Sequence, residues 1–185
     1  MPPRTASATT AAAAADTTLA AAIVADRYAV VPSPVGDLLL TGTEHTLTGC
    51  WFTQHRHNEE PVAGLQRDDH AFADVARQLD EYFAGTRRTF DVDLTPVGTE
   101  FQQRVWTLLR EIPYGETWSY GEMAAGLGQP TASRAVGLAN GRNPHSIIVP
   151  CHRVIGADGS LTGYGGGMDR KRFLLDLESG IQPLV

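Results

Sequence analysis

Ile147-Ile148-Val149-Pro150-Cys151-His152-Arg153-Val154-Ile155 is the stretch around which this chain is organised. Three apolar residues with two β-branched types predict a short buried strand over 147–149, ended by Pro150. Cys151 then stands where a strand gives way to a turn. In a continuing strand, Cys151 and His152 would face opposite sides; a turn lets the imidazole reach the thiol. The chemistry needs that pairing, because a free thiol with a pKa near about 8.5 is mostly protonated at neutral pH. An imidazole, in contact or through one water, can take the proton, and a carboxylate can fix its tautomer. Taken alone, a Cys-His pair is more often a core thiol beside a surface histidine. The flanking residues decide between the two.

Upstream, Gly141-Arg142-Asn143-Pro144 is a turn signal, and Arg142 is a candidate phosphate contact. Before it, residues 119–127 predict a short helix with a capping box, Ser119 three residues ahead of Glu122. Gly128-Gln129-Pro130 turns the chain, and residues 131–140 predict a second helix. This is helix-turn-helix grammar, a weak signal by itself. The second helix is rich in small residues: Thr131, Ala132, Ser133, Ala135, Gly137 and Ala139. A major-groove reader would carry Arg, Asn or Gln toward base edges; a smooth face suits a sugar-phosphate wall and a minor groove. Residues 99–111 predict a helix capped by Thr99 with Gln102, and Phe101, Val105, Trp106, Leu108 and Leu109 form its apolar face.

Downstream, Ala157-Asp158-Gly159-Ser160 is a tight turn, and residues 161–167 are a glycine-rich loop. The loop lacks the G-x-x-x-x-G-K-[ST] spacing of a nucleotide cradle. A last helix over 168–179 buries Phe173, Leu174 and Leu177, with Glu178 on the same side.

The first half reads differently. Residues 28–31, 38–41 and 47–52 predict an antiparallel meander, with Cys50 as a small core residue of the third strand. A helix over 72–83 carries core aromatics that need no ligand, and Gly85 stops it. Phe90-Asp91-Val92-Asp93-Leu94 alternates as a half-buried strand. Pro96-Val97-Gly98 reads as a linker, giving a tail over 1–26 and domains over 27–98 and 99–185. The Ala/Thr-rich tail has one Arg and an interrupting Asp16, so it reads as disordered or frayed rather than as a signal peptide.

A chain of 185 residues that is 42% hydrophobic has enough material for such a two-domain core. No apolar run is long enough for a membrane span. Two cysteines in different predicted domains exclude a stapled secreted fold and suit a reducing cytoplasm. The net charge of −6 lies in the first half: residues 1–98 hold seven Lys/Arg against thirteen Asp/Glu, and residues 99–185 hold eight of each. DNA contact by the second half would rest on a few placed arginines and backbone amides. His55, His57 and His70 near Cys50 fit no standard zinc spacing, and no metal is expected.

Pro150-Cys151-His152-Arg153 resembles the active-site motif of the O6-alkylguanine-DNA alkyltransferases, also called methylated-DNA–protein-cysteine methyltransferases. Phe101-Gln102-Gln103-Arg104-Val105-Trp106, Ile112-Pro113-Tyr114-Gly115-Glu116-Thr117, Ser119-Tyr120, Arg134-Ala135-Val136-Gly137, Asn143-Pro144, Gly163-Tyr164 and Glu178 follow in the family's order and spacing. The likeness is strong from Thr99 to Glu178 and weaker from Tyr28 to Gly98.

The resemblance implies an α+β protein: a ribonuclease-H-like α/β domain, then a mainly helical domain with a helix-turn-helix and the active-site turn. It implies irreversible, one-for-one transfer of an alkyl group from O6-alkylguanine, and O4-alkylthymine, in double-stranded DNA to Cys151. Tyr120 and Arg134 would then drive extrusion of the nucleotide from the minor-groove side. Asn143 would be a structural hinge, and Tyr164, Gly165 and Gly166 would border the base pocket. Small residues there would admit bulkier alkyl groups. Glu178 would orient His152, completing a relay of Cys151, a water, His152 and Glu178. No cofactor is implied, and a monomer is expected. Some family members hold a structural zinc through two cysteines near the N-terminus; here no cysteine precedes Cys50. The competing readings are a non-catalytic binder of alkylated DNA, a helix-turn-helix regulator and a cysteine hydrolase. Relatives of the first kind lack the cysteine, which this chain has.

Overall fold

The computed structural model describes residues 25–53 and 62–181. The tail over 1–24, with His55 and His57, lies outside them. Strands β1 (Arg27–Val31), β2 (Leu38–Gly42) and β3 (Leu47–Phe52) form the expected antiparallel meander. Their register lines Ala29, Leu40 and Cys50 across one face, with Val31, Leu38 and Phe52 beside them; all six are buried. A short strand β4 (Gln66–Arg67), missed in the sequence, pairs parallel with β1 and gives the order β3-β2-β1-β4. Its two residues are exposed and carry no apolar pattern, so nothing marked them as a strand. Helix α1 (Ala73–Phe83) follows, with Leu79 and Tyr82 buried and Gly85 at φ +73° closing it.

Residues 90–94 are a correction. They run beside β3 but form no strand, meeting it only at a single bridge between Leu47 and Leu94. The Gln78 side chain takes the place of a neighbouring strand: it donates to the Asp91 carbonyl and accepts the Asp91 N–H, both at 2.8 Å. A side chain has satisfied groups that a ladder would otherwise have paired.

Helix α2 (Glu100–Leu109) starts at the Thr99–Gln102 capping box, and Val105, Trp106 and Leu109 are buried. A two-residue strand β5 (Trp118–Ser119) leads into α3 (Tyr120–Gly126) through the Ser119–Glu122 capping box. Helix α4 (Ser133–Gly141) is the second of the pair, and Trp106 Nε1 donates to the Ala139 carbonyl at 2.9 Å, tying α4 to α2. A 3₁₀ turn (Cys151–Arg153) and strand β6 (Val154–Ile155), parallel to β5, precede the last helix α5 (Met168–Glu178).

Residues 147–149 are the second correction: they are buried, as their apolarity demands, but are turns rather than a strand. Asn143 causes this. Its side chain accepts the His145 N–H at 3.0 Å and donates to the carbonyls of His145 and Val149 at 3.3 and 2.8 Å. The Val149 N–H returns to the His145 carbonyl at 2.9 Å, and Ile147 sits at φ +72°. A β-branched residue in that region costs about 1–3 kcal/mol and persists only where its surroundings dictate it. The curled segment is docked on β3: the Cys50 N–H donates to the Pro144 carbonyl and the Ser146 N–H to the Cys50 carbonyl, both at 2.8 Å.

Candidate active site

Cys151 opens the 3₁₀ turn, so Cys151, His152 and Arg153 fan out within one turn and all three are buried. His152 is entirely enclosed, and its Nε2 lies 2.8 Å from Glu178 Oε1. Arg153 grips the same carboxylate with two parallel bonds, Nε to Oε2 at 2.8 Å and NH2 to Oε1 at 2.9 Å. Its third nitrogen donates to the Ile112 carbonyl at 2.6 Å. Such a bidentate pair is the strong form of a buried ion pair.

This arrangement fixes protonation. Burial alone would push the Glu178 carboxyl up, but its bonds to His152 and Arg153 outweigh that and hold it well below the usual carboxylate range. Arg153 already balances the charge of Glu178, so burial dominates at His152 and lowers its pKa despite the carboxylate. The imidazole is therefore neutral, with the proton on Nε2 facing Glu178. Nδ1 keeps its lone pair and has no hydrogen-bond partner among the described residues. A neutral ring with a free, shielded Nδ1 is a base awaiting a proton.

Burial also pushes the Cys151 thiol up, to about 11, while a hydrogen bond from Asn143, the charge of Lys171 and the amides of Cys151 and His152 work the other way. At neutral pH the resting thiol stays protonated. The site thus pairs a protonated sulfur with a neutral base and surrounds the sulfur with groups that favour its anion.

Among the expected contact residues, Arg134 and Arg142 are exposed at the two ends of α4. The face between them carries Leu138, 67% exposed, so it is less smooth than the run of small residues implied. Tyr120 is half-buried at the start of α3, and its hydroxyl donates to the Thr162 carbonyl at 3.2 Å. Tyr164 is buried edge-on to Phe52, with ring centroids 6.3 Å apart, and its hydroxyl has no partner among the described residues. Gly165 beside it is half-buried. At Gly166 a Cβ would lie 2.6 Å from the Phe52 ring and 2.7 Å from that of Tyr164. Its missing side chain makes room for those two rings. Asn143 holds the active segment in its turns, as described above. It is helped by Asn140, whose Nδ2 donates to the Cys151 carbonyl at 3.2 Å.

Four residues escaped the sequence reading. Arg153 stood inside the motif without a role. Asn140 is an ordinary helix residue by sequence. Lys171 is fully buried and donates from Nζ to the carbonyls of Val154 and Thr162 at 2.6 and 2.7 Å. Burial brings its pKa down to about 8. The fourth, Tyr82, was read as plain core; it is fully buried, yet its hydroxyl donates to Glu178 Oε1 at 2.7 Å. Each depends on a contact distant in sequence, which no local pattern signals.

Two family descriptions match this chain. Residues 27–96 match the ribonuclease-like domain of the 6-O-methylguanine DNA methyltransferases, and residues 100–180 match their DNA-binding domain. A methylated-DNA–protein-cysteine methyltransferase of Methanosarcina acetivorans is 54% identical over 151 residues, covering 82% of this chain and 97% of that protein. The Mycobacterium tuberculosis protein of the same name is 53% identical over 156 residues, covering 84% and 94%. The crystal structure of Mycobacterium tuberculosis O6-methylguanine methyltransferase superimposes with a TM-score of 0.78 at 52% identity, over 86% of this chain and 96% of that one. The same mycobacterial protein in complex with DNA gives 0.79, over 85% and 95%. Identity at this level across nearly the whole length of those proteins leaves one conclusion: the chain belongs to the methylated-DNA–protein-cysteine methyltransferase family.

Proposed function

We propose that this protein repairs DNA by moving the alkyl group of O6-alkylguanine, and of O4-alkylthymine, onto Cys151, once per molecule. The observation that carries this reading is the enclosed constellation of Cys151, neutral His152 and the Glu178–Arg153 pair, in a chain of this family. The partner is double-stranded DNA holding such a lesion, met by a monomer in a reducing cytoplasm. The boundaries we propose for the two domains are 27–98 and 99–185.

A buried sulfur cannot reach O6 of a stacked guanine, so the nucleotide must leave the helix. Extrusion costs a few kcal/mol, and less for a poorly paired alkylated base. Arg134, exposed on α4, fills the gap, and Tyr120 presses on the neighbouring phosphate. Arg142 meets the backbone. The base enters beside Tyr164, whose buried and unpaired hydroxyl is available to it. Burial raises that phenol well above its ordinary pKa, so it serves as a donor. The backbone near Gly165 faces the charge leaving on O6.

The thiol proton passes through water to His152 Nδ1, and Glu178 stabilises the imidazolium. The sulfur attacks the alkyl carbon, an S–C bond forms and the C–O6 bond breaks. The proton ends on the departing guanine ring, and a thioether remains. Neither His152 nor water can readily break a thioether, so the protein is spent. No methyl-donating cofactor enters, because damaged DNA is the donor.

Intact mass spectrometry tests this. Mixing with a duplex holding one O6-methylguanine should add one methylene equivalent, about 14 mass units, mapped to Cys151, and no more with excess substrate. Repair of many lesions by each molecule would refute it.

A further inference from the structure

Glu178 is crowded. Its Oε1 accepts from His152 Nε2, from Arg153 NH2 and from the Tyr82 hydroxyl at 2.8, 2.9 and 2.7 Å. Its Oε2 accepts from Arg153 Nε at 2.8 Å and from the Gly115 N–H at 3.2 Å. A carboxylate has about four lone-pair sites, so five donors must share them. Four of the donors come from the DNA-binding domain. Tyr82 alone comes from α1, in the ribonuclease-like domain.

Its placement is built rather than incidental. The ring is wedged among Phe83, Phe90 and Tyr114, with centroids 5.4, 5.5 and 6.1 Å away. A phenylalanine would fill that space equally well. The hydroxyl therefore adds something beyond packing, and it points at the oxygen that holds His152.

We propose that Tyr82 is a positioning residue of the transfer site: through its hydroxyl, the N-terminal domain sets how strongly Glu178 draws on His152. The inference rests on the relay proposed above. Each donor on Oε1 takes a share of its electron density, so Tyr82 and His152 compete. With Tyr82 in place the carboxylate is a weaker partner for imidazolium, but a better fixed one. No proton leaves Tyr82; burial, then the Glu178 charge, hold its phenol protonated.

The other charged and titratable groups around this carboxylate are Cys151, His152 and Arg153 on the 3₁₀ turn, Tyr114 after α2 and Lys171 on α5. Arg88, beyond α1, lies over the Tyr114 ring at 5.4 Å. Lys171 titrates near 8, so the acid limb is read below that.

The test is single-turnover transfer at saturating O6-methylguanine duplex, from pH 5 to 8. Tyr82→Phe frees Oε1 for His152 and steadies the imidazolium, so the acid-limb midpoint should rise by roughly half a unit or more. The looser carboxylate should lower the plateau several-fold, with duplex affinity unchanged. Replacing Tyr82 by 3-fluorotyrosine makes the phenol a stronger donor in the same space and should lower the midpoint. A midpoint that moves in neither variant overturns the proposal, whatever happens to stability. If Tyr82→Phe does not fold, the fluorotyrosine protein decides alone. Glu178→Gln separates the two readings. If it leaves transfer untouched, the relay itself is wrong; if it slows transfer while the Tyr82 variants keep the wild-type midpoint, only the role given to Tyr82 is lost.

Discussion

Cys50 and Cys151 are the two cysteines of the chain, and both are buried, with 0% and 4% of their surface exposed. Burial raises both thiols, to about 12 and about 11. Enclosure therefore does not tell a nucleophile from a filler. The neighbours do. Cys151 heads a 3₁₀ turn, where Asn143, two amides and the charge of Lys171 oppose the cost of burying an anion. Cys50 lies mid-strand between Gly49 and Trp51, and no group there lowers its pKa; charge on Cys151 raises it further. The Cys50 N–H is spent on the Pro144 carbonyl, whereas the amides of Cys151 and His152 at the start of the 3₁₀ turn favour the Cys151 anion.

The sharpest way to break this comparison is to exchange the roles. Cys151→Ser should lower transfer by about 10³-fold or more while duplex binding persists, because an alcohol is far harder to ionise in that site. Cys50→Ser should leave the transfer rate nearly unchanged. Gel-based transfer from labelled duplex reads both. Transfer retained in the first variant, or lost in the second with the fold intact, would remove the distinction.

Glu178→Gln comes next. It should slow transfer by about 10²-fold, the usual worth of an oriented general base. It also leaves Arg153 buried without its anion, which costs about 3–5 kcal/mol of stability. Urea unfolding alongside the transfer assay separates the two losses. Cys50 has no such partner, so no single charge change near it should slow the reaction as much.

The contrast between the cysteines shows what a sequence can carry. The meander and all five helices were legible because apolar periodicity, turn signals and capping residues are local. Both capping boxes, Thr99 with Gln102 and Ser119 with Glu122, formed as read. Residues 147–149 were not legible. Their apolar side chains signal burial truthfully, but Asn143 overrides their strand preference with three hydrogen bonds. Residues 90–94 failed in the same way, through Gln78. In the site, Cys151, His152 and Glu178 were found because the family motif names them. Tyr82 and Lys171 were missed because what makes them matter is a partner 96 residues away in one case and two backbone carbonyls in the other.

Chemical labelling sharpens the comparison further, by pH. In free protein at pH 8 both thiols are protonated, and iodoacetamide should modify either slowly. As pH rises toward 11, Cys151 should react first; Cys50 should stay protected until the protein unfolds. Stability follows the same groups. Each folded pKa lies above the unfolded value, so the folded state holds its protons longer. The stability this confers is complete below about pH 9. It is lost as pH rises through about 11 for Cys151 and about 12 for Cys50. Alkylated protein, whose Cys151 cannot ionise, should lack the first of these losses when urea midpoints are compared between pH 9 and 11.

The smallest effect is the most instructive. Cys50→Ala removes one sulfur from a core that includes Leu38, Leu40 and Phe52, and should cost about 1–2 kcal/mol. Transfer should remain within about twofold, since the side chain carries no chemistry. Yet the peptide around Cys50 is not idle: its N–H and carbonyl hold Pro144 and Ser146, at the base of the turns that present Cys151. Cys50→Pro, which deletes that N–H, should therefore slow transfer more than Cys50→Ala does at matched stability. Equal rates in the two would mean that β3 supports the active segment through bulk alone. Unequal rates would mean that the inert cysteine serves the reactive one through its backbone, and that the β-sheet is part of the active site's frame.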